Sequence, residues 1–173
     1  MPDASMYQAI ETLRDGRHAV IRAFRPDDRD GLLAAVDRSS AQSLYRRFFT
    51  VKRRFSEKEI DFFLNVDFVE HVALVAVVQE DGRPAIVGGG RYVVVAPSKA
   101  EVAFAVIDQY QGQGIGGALM RHLGIIAGRA GIKALIAEVL PENTPMQKVF
   151  ERSGYRMSTE RDPEVVHVSL QLA

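Results

Sequence analysis

The spacing of apolar residues changes character near position 71, from helix-like and mixed before it to β-branched and strand-like after it. Residues 18–23 read as a short first strand. Pro26-Asp27-Asp28 then sets a proline and acidic groups where a helix start favours them, leading into 31–36. Two further helices are predicted over 40–49 and 56–65, the second opened by the capping box Ser56-x-x-Glu59. Ahead of all this, residues 1–16 read as a loosely attached N-terminal segment, helical around 7–13, with a single domain over 17–173.

From 71 onward the runs 72–78 and 85–95 flank the turn Glu80-Asp81-Gly82-Arg83, which predicts an antiparallel hairpin. Ala96-Pro97-Ser98-Lys99 turns the chain again into a strand at 101–107. A glycine-rich stretch follows, then a helix to about Arg129 closed by Gly131, a strand at 132–139, a helix at 144–152 and a last strand at 165–170. Antiparallel strands followed by one strand–loop–helix–strand crossover give an α/β (α+β) fold. Its mixed sheet contains a parallel pair and is no repeating doubly wound array. Gly88-Gly89-Gly90 inside a strand predicts a bulge or the close approach of a ligand, the bulge being the simpler reading.

Composition narrows the partners. The 173 residues carry 22 basic and 22 acidic side chains, so no global field draws the chain to nucleic acid or to an anionic membrane. Cysteine is absent, which excludes disulfides, thiolate metal sites and a cysteine nucleophile. The N-terminal residues lack an apolar signal stretch, and no apolar run approaches the ~20 residues of a membrane span, so a cytoplasmic protein is expected. His18, His71, His122 and His167 lack metal-ligand spacing and read as structural, with no metal expected. Tyr45, Phe48, Phe49 and Phe55 alternate with Arg46, Arg47, Lys52, Arg53 and Arg54, but the aromatics keep helical spacing and read as core rather than as a nucleic-acid surface.

The chemistry gathers at QYQGQGIGGALM, residues 109–120. A strand feeding a glycine turn that opens a helix presents unpaired N–H groups and the positive end of a helix dipole, a place for a phosphate. Gly112-x-Gly114-x-x-Gly117 also satisfies the dinucleotide fingerprint, and Glu138 stands where a ribose-binding acid would. That nicotinamide-enzyme reading fails on position. Only 35 residues follow Glu138, and the strands before the loop form an antiparallel meander.

The alternative spacing, Gln111-x-x-Gly114-x-Gly116, belongs to a wider set of matches. With Glu101 through Met120, Ala-Gly-Ile-Lys at 130–133, Glu138-Val-Leu-Pro-Glu-Asn143 and Val149-Phe150 through Gly154-Tyr155, the chain resembles the GNAT superfamily of acyl-CoA-dependent N-acyltransferases. Leu13-Arg14-Asp15-Gly16, Ile21-Arg22, Pro26-x-Asp28 and the stretch 43–49 resemble the catalytic domain of bacterial Pat-type protein lysine acetyltransferases, here expected to stand alone. The resemblance implies a mostly antiparallel central sheet whose parallel pair splays, with flanking helices. It implies acetyl-CoA as co-substrate and a primary amine as acceptor, either a protein lysine or a small molecule. A non-catalytic acyl-CoA sensor on the same fold is the alternative, and free strand edges would allow a homodimer.

Residue by residue, the resemblance implies that backbone groups at Val106, Ile107 and Asp108 pair with the pantetheine arm. It implies that Gln111, Gly112, Gln113, Gly114, Ile115, Gly116 and Gly117 hold the pyrophosphate, and that N–H groups near Val106 face the oxyanion. Glu101 is the implied general base, against the alternative of a solvated strand-end carboxylate. Thr144-Pro145-x-Gln147 looks like a self-sufficient helix start with Thr144 as cap, which would free Asn143 for the cofactor; a plain turn-forming asparagine is the other reading. Phe150 occupies the place where many family members carry an acid tyrosine, so the thiolate either leaves without help or is protonated by water or Tyr155, and no general acid is assigned.

Overall fold

The computed structural model describes residues 4–40 and 56–172. Strands β1 (Gln8–Thr12), β2 (His18–Ala23), β3 (His71–Glu80), β4 (Arg83–Ala96), β5 (Lys99–Val106), β6 (Ala134–Val139), β7 (Arg156–Arg161) and β8 (Val166–Gln171) form one mixed sheet in the order β1-β2-β3-β4-β5-β6-β8-β7. Its helices are α1 (Arg29–Asp37), α2 (Glu57–Leu64), α3 (Ile115–Arg129) and α4 (Thr144–Glu151), with short 3-10 turns at Ala4–Met6, Pro26–Asp28 and Asp108–Tyr110. The helix expected over 40–49, and the aromatic-basic stretch that includes it, lie outside the described residues.

Strand β3 runs through the middle and buries every side chain from His71 to Val78. Such a strand has no polar face because both its faces are covered. One cover is α1, where a Cβ on Gly31 would stand 2.9 Å from the Ile86 side chain; the other is α3, where a Cβ on Gly90 would stand 2.9 Å from Leu123. The β3–β4 hairpin closes through Asp81 and Gly82, both at positive φ (51° and 78°), the two-residue turn that matches the twist of its strands.

The expected bulge is present one residue before the triple glycine. Ala76 pairs with Gly88 and Val77 with Ile86, leaving Val87 extra. That insertion reverses which face each later residue takes. Ile86 therefore meets α1, whereas Gly88 and Gly90 meet Ile115 and Leu123 of α3. Absent side chains at these glycines let the helix lie close against the sheet.

Two expectations need correction. The segment 7–13 is no helix: Gln8–Thr12 is an edge strand paired residue for residue with 18–22 of β2. A helix this short gains too few hydrogen bonds to offset its nucleation, while an existing sheet edge supplies a partner for every second group. Strand β7 was unanticipated, because Arg-Met-Ser-Thr-Glu-Arg lacks apolar alternation and pairs only with β8 at the outer edge.

Candidate active site

Strand β5 keeps β4 beside it along almost its whole length, from Gly88↔Val106 to Ala96↔Lys99. On its other side it pairs with β6 only at Lys99↔Ala134, Ala100↔Leu135 and Glu101↔Ile136. Beyond those three parallel pairs the two strands part, because β6 follows β8 while β5 follows β4. The Ile107 N–H donates to the Val87 carbonyl at 2.9 Å, so that residue turns toward β4. By the alternation of a strand, Val106, Phe104 and Val102 then offer their backbone groups to the opening. A buried strand edge without a partner is costly, and an extended ligand can complete it.

A cavity of about 890 Å³ occupies this opening. It is walled by Val102–Ile107 of β5 and the following turn, by Ala137–Val139 of β6, by the glycine loop, and by Asn143, Pro145 and Met146 at the start of α4. Among the expected cofactor residues Val106, Ile107, Gln111, Gly112, Gly114, Ile115, Gly116, Gly117 and Asn143 line it. Asp108 and Gln113 do not: the Asp108 carboxylate accepts from the Ser40 N–H at 3.0 Å, and the Gln113 side chain accepts from the Asp15 N–H at 3.1 Å. Val102, Phe104, Ala137 and Val139 were missed; counting two and four residues back from Val106 would have found the first two.

The loop itself is held open by conformation. Gly112 and Gly114 sit at φ 80° and 94°, where a side chain is strained, and Gly114 caps α3. Gly117 is different, because a Cβ there would meet nothing within 4 Å among the described residues. Neither its backbone nor any described neighbour explains the missing side chain. Among the described residues the N–H groups from Gly112 to Gly117 donate to no backbone or side-chain acceptor. The Gln111 amide, by contrast, donates to the Val106 carbonyl at 3.1 Å and ties the loop to the end of β5.

Asn143 corrects the expectation for α4. It, and not Thr144, is the N-cap, its side-chain oxygen accepting from the Met146 N–H at 3.3 Å. Thr144 is the first helical residue, with Pro145 behind it in the first turn, and Gln147 donates to the Leu140 and Pro141 carbonyls instead of closing a box. Capping spends only the oxygen of Asn143; its NH2 group is buried beside the cavity with no protein acceptor among the described residues.

Phe150 is fully buried, tilted against Phe104 at 5.8 Å between centroids, and forms part of the cavity wall. Tyr155 is not at the cavity: its hydroxyl lies over Gly124 on α3, where a Cβ would stand 2.5 Å away. Glu101 stands at the point where β5 and β6 separate. Its side chain lies on the face shared by Ala103 and Ala105, both in the large cavity, but it lines a smaller hollow of about 410 Å³ with Glu138, Glu160 and His167. Glu101 has no hydrogen-bond or ionic partner among the described residues.

Cations frame the other end. Arg14 and Arg121 line the cavity on the β1 side of the glycine loop, and Lys148 and Arg152 on the α4 side. Arg121 donates to Glu11 at 2.6 Å, and so does His122. Burial pushes the Glu11 carboxyl up, but these two neighbours outweigh it and hold it below the usual range.

Comparison with known proteins gives consistent results. Residues 38–155 match the acetyltransferase (GNAT) family. A Pseudomonas aeruginosa acetyltransferase is 32% identical over 156 residues, which is 90% of this chain and 83% of that protein. The acetyltransferase Pat of Mycolicibacterium smegmatis is 33% identical over 82% of this chain, but the chain spans only 42% of Pat. The crystal structure of the GNAT domain of S. lividans PAT superposes with a TM-score of 0.85 at 34% identity, covering 95% of this chain and 96% of that domain.

Proposed function

The chain belongs to the acetyltransferase (GNAT) family and is an N-acetyltransferase; from that premise we propose that it moves the acetyl group of acetyl-CoA to a lysine amine of a protein, by direct attack in a ternary complex. The observation that carries this reading is the opening between β5 and β6. Its cavity is bounded by the glycine loop, whose N–H groups from Gly112 to Gly117 have no acceptor among the described residues. Glu101, without a partner among them, stands where the strands part and lines the adjoining hollow.

In this reading the pyrophosphate lies on the loop N–H groups at the start of α3. The pantetheine arm adds to the edge of β5 at Val102, Phe104 and Val106, and the NH2 of Asn143 donates to it. A lysine ammonium, pKa ~10.4, is a free amine in roughly one molecule in a thousand at neutral pH, so a base is needed. Glu101, directly or through a water, takes the proton. The amine lone pair then attacks the thioester carbon, backbone N–H groups of β5 face the oxyanion, and the C–S bond breaks. As the C–S bond breaks, the nitrogen gives up its remaining extra proton, which reaches the coenzyme A thiolate through water, since Phe150 has none to give. A hollow lined by Glu101, Glu138 and Glu160 suits a cationic acceptor, and the likeness to Pat over both halves of the chain favours a protein one.

The test is thiol release from acetyl-CoA with a panel of lysine peptides and small amines. Glu101→Gln should lower kcat by about a hundredfold while leaving the acetyl-CoA affinity unchanged. Binding of acetyl-CoA without thiol release for any acceptor would favour a sensor on the same fold.

A further inference from the structure

We propose that the turn closing the β1–β2 hairpin, acting through Arg14, is a positioning element of the phosphate site that fixes which way the glycine loop faces. The inference rests on the acetyl-CoA reading above and adds to it a residue outside the glycine motif.

The hairpin and the loop are joined by bonds that span 98 or 99 residues of sequence. The Arg14 guanidinium donates to the Gly112 carbonyl at 2.9 Å, and the Arg14 N–H donates to the next carbonyl, Gln113, at 3.2 Å. In a trans peptide the C=O and the following N–H point in opposite directions, and the described chain has no cis bond. Holding those two oxygens toward the hairpin therefore turns the N–H groups of Gln113 and Gly114 away from it. Neither N–H has an acceptor among the described residues. Gln113 thus serves the site through its backbone, while its side chain is pinned to the hairpin by the Asp15 N–H.

Glycines at 112 and 114 make such a hold necessary. Their backbones flip between orientations at little cost, and a flipped peptide would present its oxygen, not its N–H, to a phosphate. The hairpin is itself fixed at both ends of the loop. Before the loop, Arg17 donates to the Tyr110 hydroxyl at 3.2 Å and lies over its ring at 4.8 Å, with Asp15 holding the guanidinium at 2.8 Å. After the loop, Glu11 receives Arg121 and His122, and the Tyr7 hydroxyl meets His122 at 2.5 Å. Arg14 also lines the cavity, so its charge adds to the loop dipoles.

The test measures kcat and KM for Arg14→Ala and wild type with acetyl-CoA, acetyl-3′-dephospho-CoA and S-acetylpantetheine, with acetyl-CoA affinity measured separately by calorimetry. A charge-assisted bond of this exposed kind predicts a rise of about tenfold in KM and Kd for both nucleotide donors, with kcat at saturation within about twofold. With S-acetylpantetheine, which lacks the pyrophosphate, kcat/KM should match wild type. An unchanged affinity for acetyl-CoA overturns the inference. So does an equal penalty with S-acetylpantetheine, which marks general damage, or a penalty that disappears with the dephospho donor, which assigns Arg14 to the 3′-phosphate. Should Arg14→Ala not yield folded protein, Arg14→Gln is judged on the same readouts. A wild-type protein that fails to bind acetyl-CoA overturns the acetyl-CoA reading itself, whereas normal wild-type binding with an unaffected Arg14→Ala overturns only the role of the hairpin.

Discussion

The two flanks of β5 are made of the same residues and do opposite things. Toward β4 the strand is paired from end to end, and side chains interlock so tightly that a Cβ on Gly90 would sit 2.7 Å from Phe104. Toward β6 it is paired at three positions and then left open. The difference comes from how the flanks are connected. A short antiparallel turn at Pro97-Ser98 forces β4 and β5 together at once, whereas β6 returns only after the glycine loop and the fifteen-residue helix α3. A parallel crossover leaves room for divergence that a tight turn does not. The paired flank stabilises; the open one can bind.

Substitutions should separate those roles. The largest effect is expected on the paired flank. Gly90→Val places bulk against both Phe104 and Leu123 and should lower unfolding free energy by about 3 kcal/mol in urea titration. Unchanged stability would mean that the close packing of α3 on β4 is not needed. On the open flank, Gly117→Ala should do the reverse. With open space at its Cβ, the folded protein gains helix propensity, up to about 1 kcal/mol, while acetyl-CoA affinity falls by about tenfold. A calorimetric Kd equal to wild type would place the ligand elsewhere.

The smallest effect concerns a pair remote from both flanks. Asp28 accepts two bonds from Arg22 at 2.8 Å and one from the Arg25 N–H at 2.7 Å. Burial raises its pKa, but these donors outweigh burial and bring it below the ordinary 3.8. A folded-state pKa below the unfolded one means that the stabilisation is complete above the ordinary value and is lost as pH falls through the lowered one. Asp28→Asn should therefore reduce stability at neutral pH and flatten its further decline between about pH 4 and pH 2, as read by thermal unfolding.

What the sequence made legible was local. The Ser56 capping box, the Asp81-Gly82 turn, β2 and the glycine loop each depend on residues within a few positions, and each was readable. The cap of α4 was misassigned because Asn143 and Thr144 are both good caps, and only the backbone at Asn143 (φ −81°, ψ 67°) decides between them. Strands β1 and β7 were invisible for another reason. Each is an edge whose partner, not its own composition, makes it a strand. The bonds from Arg14 to Gly112 and Gln113 had no local signal at all.

Those bonds also bear on when the molecule becomes competent. Residue 14 emerges early in synthesis and its partners 98 and 99 positions later, which is on the order of 5–20 s at ~5–20 residues per second. The glycine loop can form its turn as soon as it is made, but it acquires its orientation only after β1 and β2 have joined a sheet that includes β3, β4 and β5. Such non-local closure is slow compared with forming a turn or a helix. In refolding experiments, acetyl-CoA binding should therefore return with the last phase of sheet assembly, after the helical signal has recovered.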